Sequence, residues 1–114
     1  MASADDVLDQ LMTVINGRKG ESAETSYTAK LLAGGVDRIG AKVTEEAAEL
    51  VEAAGESGDE GREHFIYEAA DLVYHAMVLL AHRDVSLDDV RRELVRRFGV
   101  SGLEEKASRD NSAD

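Results

Sequence analysis

The sequence contains no cysteine and no proline. Without cysteine there is no disulfide framework, no thiolate zinc site and no thiol nucleophile. Strict alternation of apolar and polar residues is also missing over any useful length. Alanine and leucine are abundant, so the pattern favours an all-α chain. Basic residues are scarce: 13 against 24 acidic ones, a net charge of −11. Such a chain does not bind nucleic acid through a nonspecific basic face, and it fits badly with anionic membrane surfaces. Met1 to Asp6 lacks a basic segment followed by an apolar one, so no signal peptide is expected. The longest apolar run, Ala76 to Ala81, is too short to span a bilayer. A soluble cytoplasmic protein is the expectation. Glycine-rich phosphate loops of the P-loop or Rossmann type are absent. At 114 residues the chain suits one domain with a modest core.

What is present centres on Lys42 to His75. Lys42-Val-Thr-Glu45-Glu46-Ala-Ala-Glu49 is followed by a break at Gly55 to Gly61, then Glu68-Ala-Ala-Asp71-Leu-Val-Tyr-His75. Each segment carries carboxylates three or four residues apart, neighbours on one helix face. Like charges so placed repel, and a divalent cation is the obvious compensation. If the two helices pack antiparallel, Glu46-x-x-Glu49 and Glu68-x-x-Asp71 converge. Hard oxygen ligands suit Mg²⁺ or Mn²⁺, which bind polyphosphates. The implied chemistry is attack of water on a phosphoanhydride. Acidic helix faces are usually just solvated, and at this point both readings stay open.

The remaining pattern predicts about five helices. The first spans about Asp5 to Asn16, with Val7, Leu8, Leu11, Val14 and Ile15 as its stripe, Ser3 and Asp6 as a capping box, and Gly17 as its stop. Arg18 to Thr25 reads as a polar loop, either a plain connector or one whose Arg18 and Lys19 contact a phosphate. A short helix, about Ser26 to Ala33, is capped by Thr25 or Ser26 and ended by Gly34-Gly35. Tyr27, Leu31 and Leu32 would pack in it, and Lys30 faces solvent or a ligand. The third runs from about Asp37 to Gly55 on Ile39, Val43, Ala47, Leu50 and Ala54. Lys42, Glu45, Glu46 and Glu49 share the adjacent face, with Glu46 closest to the stripe. Lys42 either touches phosphate or pairs with Glu46.

Glu56 to Arg62 reads as a loop. The fourth helix ends near His82 and has a wide apolar arc of Phe65, Ile66, Ala69, Leu72, Val73, Ala76, Met77, Leu79 and Leu80. In so short a chain that width points to burial by a second subunit. His64, His75 and His82 share a strip with Glu68 and Asp71. His75 is expected to be structural, bonded to the carboxylate that holds the ion; His64 and His82 are expected at the surface, and Tyr74 is expected to pack. Ser86 and Asp89 cap a fifth helix, about Leu87 to Phe98. Val90, Leu94 and Val95 pack in it, and Arg91, Arg92, Arg96 and Arg97 lie outside. Residues 1–107 form the single domain, and the tail from Ser108 is expected to be disordered.

Several runs resemble phosphoribosyl-ATP pyrophosphatase. They are Ser26-Tyr-Thr-Ala-Lys-Leu-Leu32, Arg38-Ile39, Lys42 to Glu49, Glu68 to His75, and Ser86-Leu-Asp-Asp-Val90 with Glu93-Leu94. The resemblance covers about residues 5 to 107. The carboxylate pairs alone are shared with the wider all-α nucleoside triphosphate pyrophosphatase superfamily that includes MazG. The Ser-Tyr-Thr helix and the Asp-Leu-Val-Tyr-His run point to the narrower family. Thr44 departs from the family's usual glycine, at a position that ligates nothing.

The resemblance implies hydrolysis of phosphoribosyl-ATP to phosphoribosyl-AMP and pyrophosphate, the second step of histidine biosynthesis, by a Mg²⁺-dependent homodimer of interlocked helices. It implies Glu46, Glu49, Glu68 and Asp71 as metal ligands, and Glu45 as a ligand or base. Glu45, Glu46 and Glu49 are the catalytic candidates. Water attacks the α-phosphorus and pyrophosphate leaves. Lys42, Lys30, Ser26 and Arg18 are candidate substrate contacts, and Mn²⁺ is a possible substitute for Mg²⁺. Three alternatives remain. A MazG-like enzyme would act on ordinary or damaged nucleoside triphosphates. A di-iron carboxylate bundle normally needs Glu-x-x-His pairs, which this sequence lacks. A non-enzymatic acidic interaction module is the third.

Overall fold

The computed structural model describes residues 6–99. They form four helices, α1 (Val7–Gly17), α2 (Tyr27–Ala54), α3 (Gly58–His82) and α4 (Leu87–Phe98), with no strand among the described residues. The chain divides into two compact units, Met1–Asp84 and Val85–Asp114. No described helix is long and apolar enough to cross a membrane. The expected Ser3 cap and the tail from Ser108 lie outside the described residues.

Four helices replace the expected five because Gly34-Gly35 bends a helix instead of ending it. Gly35 has φ 69° and ψ −163° inside α2, a region of backbone space that is essentially reserved for glycine. The helix resumes at once, so its two halves count as one bent element. Ser26 starts it, and the Ala29 N–H donates to the Ser26 hydroxyl at 3.0 Å, which meets one orphan donor of the first turn.

Only Gly55, Glu56 and Ser57 separate α2 from α3. So short a connection forces the two to run antiparallel, and α3 begins earlier than the sequence suggests. Gly61 lies inside it, buried, where a Cβ would come within 2.8 Å of the Glu56 backbone. The chain turns back tightly because that side chain is missing.

Along the stretch where the two helices pair, buried positions recur every seven residues. On α2 these are Ile39, Glu46 and Ala53, besides Ala29 and Leu31 near its start; on α3 they are Gly61, Glu68 and His75, besides Met77, Val78 and Ala81 near its end. That is the spacing of helices that stay in contact along their length. The core thus runs through two carboxylates and an imidazole. Val43, Ala47 and Leu50, expected to carry the α2 stripe, are half-buried, and Ala54 is exposed. On α3, Val78 is fully buried, whereas Phe65, Ile66 and Val73 are exposed by 40–49%. α1 lies on α3 and buries Met12 and Ile15, while Val7, Leu8 and Val14 stay exposed. A neighbouring helix in the same chain covers only part of each wide apolar arc.

In the second unit, α4 begins with the expected capping box: the Asp89 N–H donates to the Ser86 hydroxyl at 3.0 Å, and the Ser86 N–H to the Asp89 carboxylate at 2.9 Å. Its arginines pair along the helix, as Arg91 with Asp88 at 2.8 Å and Arg96 with Glu93 at 2.7 Å. Leu94 and Val95, expected to pack, are 48% and 67% exposed.

Candidate functional site

The antiparallel pairing of α2 and α3 brings Glu46, Glu68 and Asp71 together. Each offers one carboxylate oxygen, and these atoms lie within 4.8 Å of one another. Glu46 and Glu68 are buried, 6% and 5% exposed, and Asp71 is half-buried. One oxygen on each glutamate, Oε2, is buried with no hydrogen-bond partner. A buried acceptor without a donor is costly, and here two stand side by side. The Glu68 carboxyl is pushed up to about 7, first by hydrogen bonding with Glu49, then by burial and by Glu46. Glu49, half-buried, therefore sits against Glu68 although it lies outside the three-residue cluster.

All the cluster's donor atoms are hard oxygens, with no sulfur and no ligating histidine among them. That set fits Mg²⁺ or Mn²⁺ and disfavours zinc or copper. A cation held there would offset the burial of these carboxylates.

The other acidic candidate, Glu45, stays outside. Its side chain is 52% exposed and accepts from the Lys42 ammonium at 3.0 Å. Lys42 thus pairs with Glu45 three residues on, and not with Glu46 four residues on. That bond holds the Lys42 ammonium above its usual range, so the lysine is cationic.

His75 is buried beside the cluster. Its Nδ1 lies 2.9 Å from the Asp71 backbone carbonyl and 3.8 Å from Glu46 Oε1. A carbonyl only accepts, so Nδ1 carries a proton and donates to it. The sequence led us to expect a bond to the Asp71 carboxylate; the histidine bonds the peptide of that residue instead. In a neutral ring Nε2 is then left to accept from the Tyr27 hydroxyl at 3.0 Å. Tyr27, expected to pack, is 48% exposed. Its ring stacks on Tyr74 with centroids 6.4 Å apart, and the Tyr74 hydroxyl bonds Thr28. Tyr27 is the contact that sequence reasoning missed. The seven-residue step from Glu68 to His75 was the available signal that His75 points inward.

His64 is exposed, as expected. Its Nδ1 donates to Glu56 at 3.0 Å and its Nε2 lies 3.5 Å from Glu68. The bond to Glu56 raises its tendency to hold a proton. His82, expected at the surface, is half-buried.

Of the candidate substrate contacts, Ser26 spends its hydroxyl oxygen on the α2 cap. Lys30 is exposed. Arg18 pairs loosely with Glu21 at 3.5 Å and belongs to a cavity between the α1–α2 connection and the end of α3.

Comparison with known proteins points one way. The family described as phosphoribosyl-ATP pyrophosphohydrolase matches residues 8–98, a stretch that takes in the four helices except Val7, the first residue of α1. Among individual relatives, the phosphoribosyl-ATP pyrophosphatase of Rhodopirellula baltica is 57% identical over 107 residues, covering 94% of this chain and 89% of that protein. The phosphoribosyl-ATP pyrophosphatase of Trichlorobacter lovleyi is 54% identical, covering 96% and 98%. That of Geobacter metallireducens is 50% identical, covering 96% and 97%.

Proposed function

Because the chain belongs to the phosphoribosyl-ATP pyrophosphohydrolase family, we propose that it hydrolyses phosphoribosyl-ATP to phosphoribosyl-AMP and pyrophosphate, a step of histidine biosynthesis. The observation that carries the reading at the level of residues is the pair of buried, unpartnered oxygens on Glu46 and Glu68, close to Asp71.

Glu46, Glu68 and Asp71 would hold Mg²⁺, with Glu49 completing the set from beside Glu68. When bound there, the ion supplies positive charge that neutralises phosphate oxygens and polarises the anhydride. The chain's own groups do the rest. Glu45, exposed and bonded through one carboxylate oxygen to Lys42, would hold a water and accept its proton as it attacks the α-phosphorus. Lys42, kept cationic by Glu45, would meet the phosphates. His75 adds a side-chain bond to the Asp71 carbonyl, which the α3 backbone already engages, and so braces the turn that carries that carboxylate. Lys30, Ser26 and Arg18 contact the substrate outside the reacting centre.

The active form is proposed to be a homodimer, with residues 1–107 as one pyrophosphatase domain. The exposed apolar arcs of α1 and α3 support the second copy.

Pyrophosphate release, compared for phosphoribosyl-ATP, ATP and deoxynucleoside triphosphates with and without Mg²⁺, tests the reading. Mg²⁺-dependent release from phosphoribosyl-ATP well above the others is expected. Equal or faster release from deoxynucleoside triphosphates would overturn it.

A further inference from the structure

The acidic cluster makes no use of the cations that close the other end of the helix pair. There Arg18, Lys19 and His82 line a cavity of about 390 Å³. Its apolar floor is Ala29, Leu32 and Ala33. We propose that this cavity is a second anion subsite, which takes the phosphate monoester on the substrate's far ribose through Arg18, Lys19 and His82. The proposal rests on phosphoribosyl-ATP being the substrate.

Three observations carry it. The first is reach. Asp71 in the cluster and His82 in the cavity are eleven residues apart on α3, which is about 16 Å along a helix. A nucleotide with a triphosphate on one ribose and a phosphate monoester on another has anionic groups at both extremities. It needs two anion sites separated by its own length, and one continuous helix sets that separation here.

The second is that the empty cavity already contains anions on its cations. Lys19 bonds the Asp84 carboxylate, and Arg18 lies 3.5 Å from Glu21. Asp84 is 84% exposed as a side chain and sits at φ 58°, a left-handed conformation at the end of α3. Its carboxylate stands where an incoming phosphate would. An exposed ion pair contributes little, and a phosphate dianion offers more acceptor oxygens and more charge. The carboxylates therefore act as exchangeable stand-ins.

The third is the floor. Small and aliphatic side chains suit the carbons of a sugar and present nothing for a base to hydrogen-bond.

The test is an NMR titration of the full chain, without divalent cation, using ribose 5-phosphate and, separately, inorganic phosphate. Ribose 5-phosphate should shift amides at residues 18–20 and 82–84 in the millimolar range, and inorganic phosphate should bind several-fold more weakly. Lys19→Ala should weaken ribose 5-phosphate by about tenfold or more. Asp84→Asn keeps a residue that tolerates the left-handed backbone and removes the competing carboxylate, so it should tighten binding. In turnover, Lys19→Ala should raise the KM for phosphoribosyl-ATP by about tenfold and change kcat by less than about threefold. Absence of shifts at those residues, equal binding of inorganic phosphate, indifference to Lys19→Ala, weakening by Asp84→Asn, or a loss confined to kcat would each overturn the subsite. A wild-type protein that fails to hydrolyse phosphoribosyl-ATP would instead sink the functional reading, and the titration would still decide whether the cavity takes a sugar phosphate.

Discussion

Glu46 and Glu68 meet across two antiparallel helices from positions that a bundle normally fills with apolar residues, and each keeps one carboxylate oxygen buried and unpartnered. Apolar packing does not account for such an arrangement, and the hydrogen bonding of Glu68 with Glu49 and Glu46 still leaves an oxygen on each glutamate of the pair unpartnered. It follows that the fold carries this pair at a cost to its own stability.

Replacing either acid by its amide separates function from fold. Glu46→Gln, Glu68→Gln and Asp71→Asn should each reduce Mg²⁺-dependent turnover by about a thousandfold or more, since each removes a charged ligand from the cluster. In the metal-free protein the glutamate variants should melt at the wild-type temperature or several degrees above it, because an amide can donate where the carboxylate only accepts. Thermal melts in chelator alongside the pyrophosphate assay check this. Variants that lose activity and unfold together would show the acids to be structural.

Stability should also depend on pH in a direction set by Glu68. Its folded value is about 7 against an ordinary 4.5. The folded protein thus keeps a proton that the unfolded chain releases. Its contribution is most favourable below the unfolded value, is lost as pH rises through 7, and does not recover above. In chelator the protein should melt at a lower temperature at about pH 8 than at about pH 5.5. Glu68→Gln should flatten that slope. Saturating Mg²⁺ should oppose it, since the ion binds the deprotonated carboxylates. A slope as steep in Glu68→Gln as in the wild type would show that another group sets it.

The lack of proline and of strict alternation made the helical class legible before any coordinates, and the carboxylate spacing did the same for Glu46, Glu68 and Asp71, though not for the place of Glu49 outside their cluster. The break at Gly34-Gly35 was legible as a break but not as a bend. Sequence shows that a glycine permits φ 69° and that a helix follows from about Asp37, not that the two segments join as one bent element. The face of α3 was harder to read. A periodicity judged by hydrophobicity follows Phe65, Ile66 and Val73 and passes over Glu68 and His75, because it assumes that charged residues face water. The buried line runs through that polar pair as well as the expected Met77, and Phe65, Ile66 and Val73 stay exposed in the single chain. Tyr27 was hidden for a different reason: its partner His75 lies 48 residues away, and only the antiparallel pairing brings them together.

His75 should act on the metal through Asp71. Its Nδ1 proton is committed to the Asp71 carbonyl, and its Nε2 to Tyr27. His75→Leu removes both side-chain bonds and leaves the Asp71 carbonyl only its helical partner, the backbone N–H of residue 75. Mg²⁺ affinity should then fall by about 10- to 100-fold. His75→Asn places an amide N–H near the former Nδ1 and should recover most of that loss, whereas Tyr27→Phe should cost less than His75→Leu. Mg²⁺ titrations of the three variants would check the order. Equal losses in His75→Asn and His75→Leu would show that ring packing, and not the bond to Asp71, is what the site needs.

The exposed apolar residues predict the assembly. Ile66 and Val73 lie seven residues apart on α3, 49% and 43% exposed, with Phe65 beside them at 40%. Residues at that spacing form one continuous line along a helix. An apolar line of this kind on a protein of net charge −11 is not explained by solubility. The proposed second copy would cover it with the same residues, as a two-fold interface requires. Ile66→Glu places a charge at the middle of that line without touching the acidic cluster of its own chain. It should convert a sedimenting dimer into a monomer at micromolar concentration and lower the melting temperature. If each subunit folds its own cluster, the monomer retains Mg²⁺ binding and loses turnover only in part. If the clusters depend on the partner's packing, Mg²⁺ binding is lost with the dimer. A wild-type chain that sediments as a folded monomer at dilute concentration would refute the assembly outright.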